Sequence, residues 1–131
     1  MMLKGFRIIF IAAYFNDDNT ATSISLGNLS KLHEIYRFVK RTACPFVIGA
    51  DWNMLGSVLR GVSWLDDVFA DIVSPAGLDF TCTAGSGRTI DYFVVSRALL
   101  STVTNVDRDL GATWTPHIGL MVSLTATPKM V

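Results

Sequence analysis

Three polar signals interrupt an otherwise oily sequence, and each stands beside a stretch with the character of a strand. In FVIGADWNM an apolar run ends abruptly in Asp51, Trp52 and Asn53. In IDYFVV the carboxylate of Asp91 opens a segment that is otherwise almost wholly apolar. In WTPHIGL the imidazole of His117 comes just before an alternation of apolar and small residues. Residues two apart on an extended chain point to the same side, so Asp51 and Asn53 are expected to set a carboxylate beside an amide at a strand tip. A carboxylate can orient water or bind a divalent cation, an amide can fix that geometry, and an Asp–His pair can hold an imidazole in one tautomer. Taken together these groups suit a phosphate-handling site. Each also has a purely structural reading: Asp51 as a cap of the following turn, Asp91 as a partner of Arg88 across a loop, His117 as a buried and satisfied histidine.

The elements that must position these groups follow from the hydrophobic pattern. Arg7 to Tyr14 reads as a buried strand, followed by the polar loop NDDNTATS. Asn28 or Ser30 is expected to cap a helix running to about Arg41, with Leu29, Leu32, Ile35, Tyr36 and Val39 as its apolar stripe. Lys31, Glu34, Arg37, Lys40 and Arg41 take the outer face, and cations at the end complement the helix dipole. Cys44-Pro45 launches the strand Phe46 to Ala50, completing a strand–helix–strand unit of α/β type. Leu55 to Trp64 is short and helical, broken by Gly56 and Gly61, and Asp67 to Val73 reads as a strand. Asp79 to Thr83 and Thr89 to Val95 suggest a hairpin around the Gly-rich AGSG loop. Val103 to Val106 is expected as a further strand, and the period of two from Ile118 to Leu124 marks the last. Strand ends in open α/β folds are where ligands collect, because loops there present side chains from a rigid base.

The totals set bounds. The chain has 131 residues, enough for one domain, with 11 basic and 11 acidic residues and a net charge of zero. No basic excess announces nucleic acid and no acidic tail announces a solvated spacer. Charged residues are 17% of the chain, below the roughly 25% of ordinary domains, and the mean hydropathy is +0.41. No run approaches the roughly 20 apolar residues needed to span a bilayer, so the surplus belongs in a core, an interface or a face that something else covers. Lys4 and Arg7 ahead of Ile8 to Ala13 faintly resemble a signal peptide, but the run is short and its β-branched and aromatic residues suit a strand. Cys44 and Cys82 have no metal-ligand spacing and read as buried free thiols, which fits a reducing, intracellular compartment. Trp52, Trp64 and Trp114 could stack on a base or sugar, but packing in the core is the safer expectation.

Four strings in order carry a family resemblance. GADWN resembles the GDxN-type motif of the endonuclease/exonuclease/phosphatase superfamily, the metal-dependent phosphodiesterases that include abasic-site and retrotransposon endonucleases. RTIDYFVVS is similar to that family's RIDY strand, WTPHIGLMVSL to its closing SDH segment, and IAAYF, with Tyr14, to its tyrosine-bearing strand. The match runs from about Ile8 to Leu124. The resemblance implies that Asp51 aligns and activates the water attacking phosphorus while Asn53 holds Asp51 or a metal ion. It implies that Asp91 orients His117 against the phosphate, and that Tyr14 lies near the phosphate or leaving group. Mg²⁺ or Mn²⁺, with Asp51 and Asn53 among its ligands, is the implied cofactor, and a phosphodiester, including nucleic acid, the implied substrate.

Two departures follow from the same comparison. Where the family places Asp before the final histidine, this chain has Pro116, which offers no side-chain oxygen. The family domain is about twice this length, a four-layer α/β sandwich of two packed sheets flanked by helices, and its first half supplies a metal-binding Glu. Glu34, the only glutamate here, matches none of its motifs. The chain is therefore expected to be one partial domain lacking the N-terminal half, to expose sheet surface normally covered, and to self-associate or require a partner. The alternatives are a catalytically inactive remnant or binding module that retains the fold, and a small α/β protein whose motifs are coincidental.

Overall fold

The computed structural model describes residues 3–4, 7–74, 90–109, 119–124 and 129–130, with side chains described for 7–74 and 90–103. In chain order the elements are β1 (Leu3–Lys4), β2 (Ile9–Tyr14), α1 (Leu26–Thr42), β3 (Phe46–Asp51), α2 (Gly56–Arg60), α3 (Trp64–Asp67) and β4 (Ala70–Val73). There follow β5 (Asp91–Ser96), a 3-10 helix (Arg97–Thr102), β6 (Val103–Asp109), β7 (Gly119–Leu124) and β8 (Lys129–Met130). The chain is α/β, as the pattern of strands and helices led one to expect.

A four-stranded mixed sheet in the order β2-β3-β5-β4 organises the molecule. β2 and β3 run parallel and are joined through α1, whereas β5 is antiparallel to both β3 and β4. Two smaller antiparallel pairs, β6 with β7 and β1 with β8, complete the described strands.

The period of two divides the sheet's faces sharply. One face carries Ile9, Ile11, Phe46, Ile48, Val94 and Ile72 into the main core, where Leu32, Ile35, Tyr36 and Val39 of α1 meet them. This is the apolar stripe expected of the helix, except that Leu29 stays 40% exposed. On the other face Val47, Phe93, Val95 and Val73 pack with Leu99 and Leu100 of the 3-10 helix. That second cover does not reach β2, whose outward residues Phe10 and Tyr14 are 70% and 64% exposed.

Several boundaries differ from the sequence reading for identifiable reasons. α1 starts a turn early, because Ser25 and neither Asn28 nor Ser30 is the cap: its Oγ accepts from the Asn28 N–H at 3.2 Å. Asn28 is fully buried and serves a different purpose, described below. The helix ends at Ala43, whose left-handed backbone turns its N–H onto the Val39 carbonyl at 3.0 Å. The strand expected from Asp67 begins only at Ala70, since Trp64–Asp67 forms a helical turn and Phe69 is left-handed at φ 55°. Arg97 then fastens this corner, donating from its backbone N–H to Phe69 O and pairing with Asp66 at 2.6 Å and Asp71 at 3.5 Å. The expected AGSG hairpin lies outside the described residues apart from its second strand, which is β5.

Candidate active site

Register alone brings three of the expected residues together. Tyr14 is the β-partner of Asp51 on the parallel side, and Asp91 is its partner on the antiparallel side. Directly opposed residues point to the same face, so tyrosine, aspartate and aspartate form one row across β2, β3 and β5. The row lies where β2 and β3 end and β5 begins. Trp52 N–H donates to Ile90 O at 2.9 Å, which makes the adjoining Asp51–Asp91 pair one of the narrow, non-hydrogen-bonded kind, with Cα atoms about 4.5 Å apart. Asp51 and Asp91 are both half-buried, and Tyr14 stands in solvent.

The next residue on each strand points the opposite way. Phe15, Trp52 and Tyr92 are all buried and form a continuous aromatic stack. The ring centroids of Phe15 and Trp52 lie 4.9 Å apart with planes inclined by 15°, and those of Trp52 and Tyr92 lie 5.3 Å apart and almost parallel. Trp64 meets Trp52 edge-on at 6.1 Å. Offset stacks of this kind add to the burial that rings already gain. Every polar atom of the stack is engaged. Trp52 Nε1 donates to Tyr92 O at 2.9 Å, Tyr92 Oη to Met54 O at 3.1 Å, and Trp64 Nε1 to Leu32 O at 2.8 Å. Burial pushes the Tyr92 phenol well above its ordinary pKa; the Arg60 guanidinium opposes this, and the charges of Asp51 and Asp91 add to it. The carboxylate row and Arg60 are thus within electrostatic reach of the same ring.

Asn53 does not sit beside Asp51 as an extended chain would place it. β3 stops at Asp51, and Asn53 is left-handed at φ 48°, a conformation asparagine tolerates better than most residues. Its side chain is turned inward, 6% exposed, with Nδ2 donating to Phe15 O at 2.6 Å. It is the backbone N–H of Asn53 that reaches the carboxylate, at 3.0 Å from Asp51 Oδ1. The side-chain contact expected between these residues is replaced by one from the main chain.

His117 and Pro116 lie outside the described residues, as do Arg88 and Cys82. Cys44 is a free thiol. Glu34 is exposed on α1. Among the described residues no three histidine, cysteine or acidic side chains gather as a metal-binding group. Asp51 and Asp91 still offer two facing carboxylates, and hard cations such as Mg²⁺ are commonly held by one or two carboxylates together with water and substrate oxygens. The donor chemistry therefore fits a divalent cation in part. A groove of about 230 Å³ between α1 and α3 and another of about 300 Å³ between α2 and the loop before α1 open elsewhere and include neither Asp51 nor Asp91.

With this geometry in view the chain can be set against known proteins. It resembles the endonuclease domain of TRAS1, a telomere-specific non-LTR retrotransposon, with a TM-score of 0.64 and 17% identity over 86% of this chain and 55% of that one. The fold is endonuclease-like. A second similar structure is CdtB, the biologically active subunit of cytolethal distending toxin, with a TM-score of 0.56 and 21% identity over 87% of this chain and 48% of that one. The chain spans about half the length of the solved structures it matches. No protein-family profile and no curated protein matches it. Asp51 and Asp91 stand out in the sequence, whereas the aromatic stack beneath them and the proximity of Arg60 were not foreseen from it. A visible signal for the stack was there: Tyr14-Phe15, Asp51-Trp52 and Asp91-Tyr92 each pair a site residue with an aromatic.

Proposed function

We propose that the chain carries a metal-dependent phosphodiester hydrolase site of nuclease type, on a stretch that spans about half the length of the solved structures it matches. The observation that supports this most directly is the single row formed by Tyr14, Asp51 and Asp91 at one end of the sheet of an endonuclease-like fold. In this reading Asp51 aligns and deprotonates the attacking water. The Asn53 N–H bond to Asp51 Oδ1 holds that carboxylate at the strand tip where the water would be met. Asp91 orients His117, which donates to a phosphate oxygen as charge develops, and Tyr14 borders the phosphate or the leaving group. Mg²⁺ or Mn²⁺ would be held by Asp51, with Asp91 as a second carboxylate; the Asn53 amide, turned inward onto Phe15 O, would act by fixing the turn beside Asp51. When bound, the cation supplies positive charge to the phosphoryl oxygens. Nucleic acid is the substrate class that an endonuclease-like fold favours.

The rest of the proposal concerns what surrounds the site. The chain would supply one sheet of a four-layer sandwich, and an N-terminal half or a second copy would cover β2. The exposed Phe10 and the half-length match to both solved structures support this. Gel filtration across a concentration series is expected to show association; a monomer at all concentrations would remove that part of the proposal.

The test of the chemistry is nicking of supercoiled plasmid with Mg²⁺ or Mn²⁺. Turnover should be abolished by EDTA and fall by at least about 100-fold in Asp51→Ala, the scale of a lost general base. A second reading, an inactive remnant or binding module, rests on Pro116, which stands where the resembled family has an aspartate and offers no side-chain oxygen. A folded protein with no turnover but retained binding to plasmid would select it.

A further inference from the structure

The polar loop between β2 and α1 is tied to the tip of β3 by an unbroken series of asparagine hydrogen bonds. At its base Asn28, fully buried in the first turn of α1, uses both ends of its amide. Its Nδ2 donates to Asn16 O at 2.8 Å and to Asn19 Oδ1 at 3.1 Å, and its Oδ1 accepts from the Asn16 N–H at 2.9 Å. Asn19 continues the series: its Oδ1 also accepts from the Ser25 N–H at 2.8 Å, and its Nδ2 donates to Asn53 O at 3.0 Å. Asn53 is then held from both sides, by Asn19 at its carbonyl and through its own Nδ2 at Phe15 O. The Asn53 N–H ends the series on Asp51 Oδ1.

This arrangement does more than close a loop. A buried amide is costly unless its donors and acceptors are met, and a cheaper helix start would place an apolar residue at position 28. Asparagine is used where the same group must bridge a loop, a helix turn and a strand tip. The left-handed turn at Asn53 sets the direction in which its N–H points, and that direction fixes one oxygen of Asp51. A carboxylate whose Oδ1 is met by a fixed backbone donor is restricted in the directions it can take.

We propose that Asn19 and Asn28 are positioning residues, which orient the Asp51 carboxylate through the turn at Asn53. The proposal builds on the reading of Asp51 as the water-activating carboxylate, yet the orientation itself can be measured without any turnover. The experiment is amide hydrogen exchange by NMR on the whole chain, comparing wild type, Asn19→Ala and Thr20→Ala. Thr20 holds the same loop through Thr22 N, Ser23 N and Ser23 O but has no bond to the asparagine series. Exchange at the Asn53 amide is expected to rise about tenfold in Asn19→Ala, the scale of one lost hydrogen bond. In Thr20→Ala it should stay within about twofold of wild type, and the central sheet amides of Ile48 and Val94 should be unchanged in both.

If Asn19→Ala does not fold, Asn19→Asp is the substitute. It keeps the acceptor for Ser25 and Asn28 while removing the single donor to Asn53 O, and the same tenfold rise is expected. Equal exchange at Asn53 in wild type and the Asn19 variant would overturn the proposal, as would an equal rise in Thr20→Ala. Should the wild type cleave plasmid, Asn19→Ala is expected to lower kcat while KM stays within about twofold, since orientation of the base acts on the chemical step. A wild type that cleaves nothing counts against the hydrolase reading alone, and the exchange comparison still decides the positioning one.

Discussion

The two faces of the sheet at its site end are made by the same three pairs of neighbouring residues and could hardly differ more. Tyr14, Asp51 and Asp91 face one way, half-buried or exposed, while Phe15, Trp52 and Tyr92 face the other, sealed from water and stacked ring on ring. One peptide unit on each strand separates a group suited to chemistry from a group suited to packing. Because side chains alternate strictly, the scaffold can be rigid where the carboxylates hang from it without any apolar residue intruding on them. Rigidity on one side and access on the other are the same structural fact seen from two directions.

If the faces divide the labour in this way, damage to the packed side should appear as lost stability and damage to the row as lost activity. Trp52→Ala is expected to have the largest effect, lowering the free energy of unfolding by about 3–5 kcal/mol in urea titration, because the indole touches Phe15, Tyr92 and Trp64 together. A cost below about 1 kcal/mol would mean that the stack is not the scaffold of the site.

Tyr92→Phe should cost about 1–2 kcal/mol through the loss of the bond to Met54 O, leaving a buried carbonyl unmet. It should also change the response to alkali. The folded-state pKa of Tyr92 is raised, so the folded protein keeps the proton where the unfolded chain gives it up. Stability is therefore unaffected below the ordinary phenol value near 10 and falls as the pH climbs beyond it. Denaturant midpoints measured between about pH 9 and pH 11 should show a shallower fall in Tyr92→Phe; equal slopes would contradict the burial argument.

On the other face, Asp51→Asn should leave the unfolding midpoint within about 0.5–1 kcal/mol of wild type, since the amide oxygen can still accept from the Asn53 N–H. Global unfolding of this variant would erase the contrast between the faces. The smallest effect is expected for Tyr14→Phe, at 64% exposure, with stability changed by no more than about 0.5 kcal/mol. Circular dichroism melts suffice to check both.

Much of the fold was legible because its signals are local. The apolar run before Asp51, the helix stripe from Leu32 to Val39 and the alternation near the C-terminus are each contained within one element. Asp51 and Asp91 were legible as well, since a lone carboxylate at the end of an apolar strand stands out. Their facing arrangement was not, because register depends on which strands become neighbours, and that is decided over 40 residues of intervening chain. Contacts outside the helix also hid Asn28, which reads locally as a helix cap and is instead a bridge to Asn16 and Asn19 across the preceding loop. Asn53 was misplaced by assuming that the strand continued past Asp51. A left-handed turn at that point leaves no mark on hydrophobic periodicity.

The left-handed closure of α1 at Ala43 has a practical corollary. An alanine there forgoes about 1–2 kcal/mol relative to its preferred backbone, whereas glycine takes up that geometry without steric penalty. Replacing Ala43 with Gly should yield a sturdier parent, by up to about 1 kcal/mol after glycine's own entropy is counted. Because Ala43 precedes the start of β3 whereas Asp51 ends that strand, such a background would let weakened variants be compared while all of them are still folded.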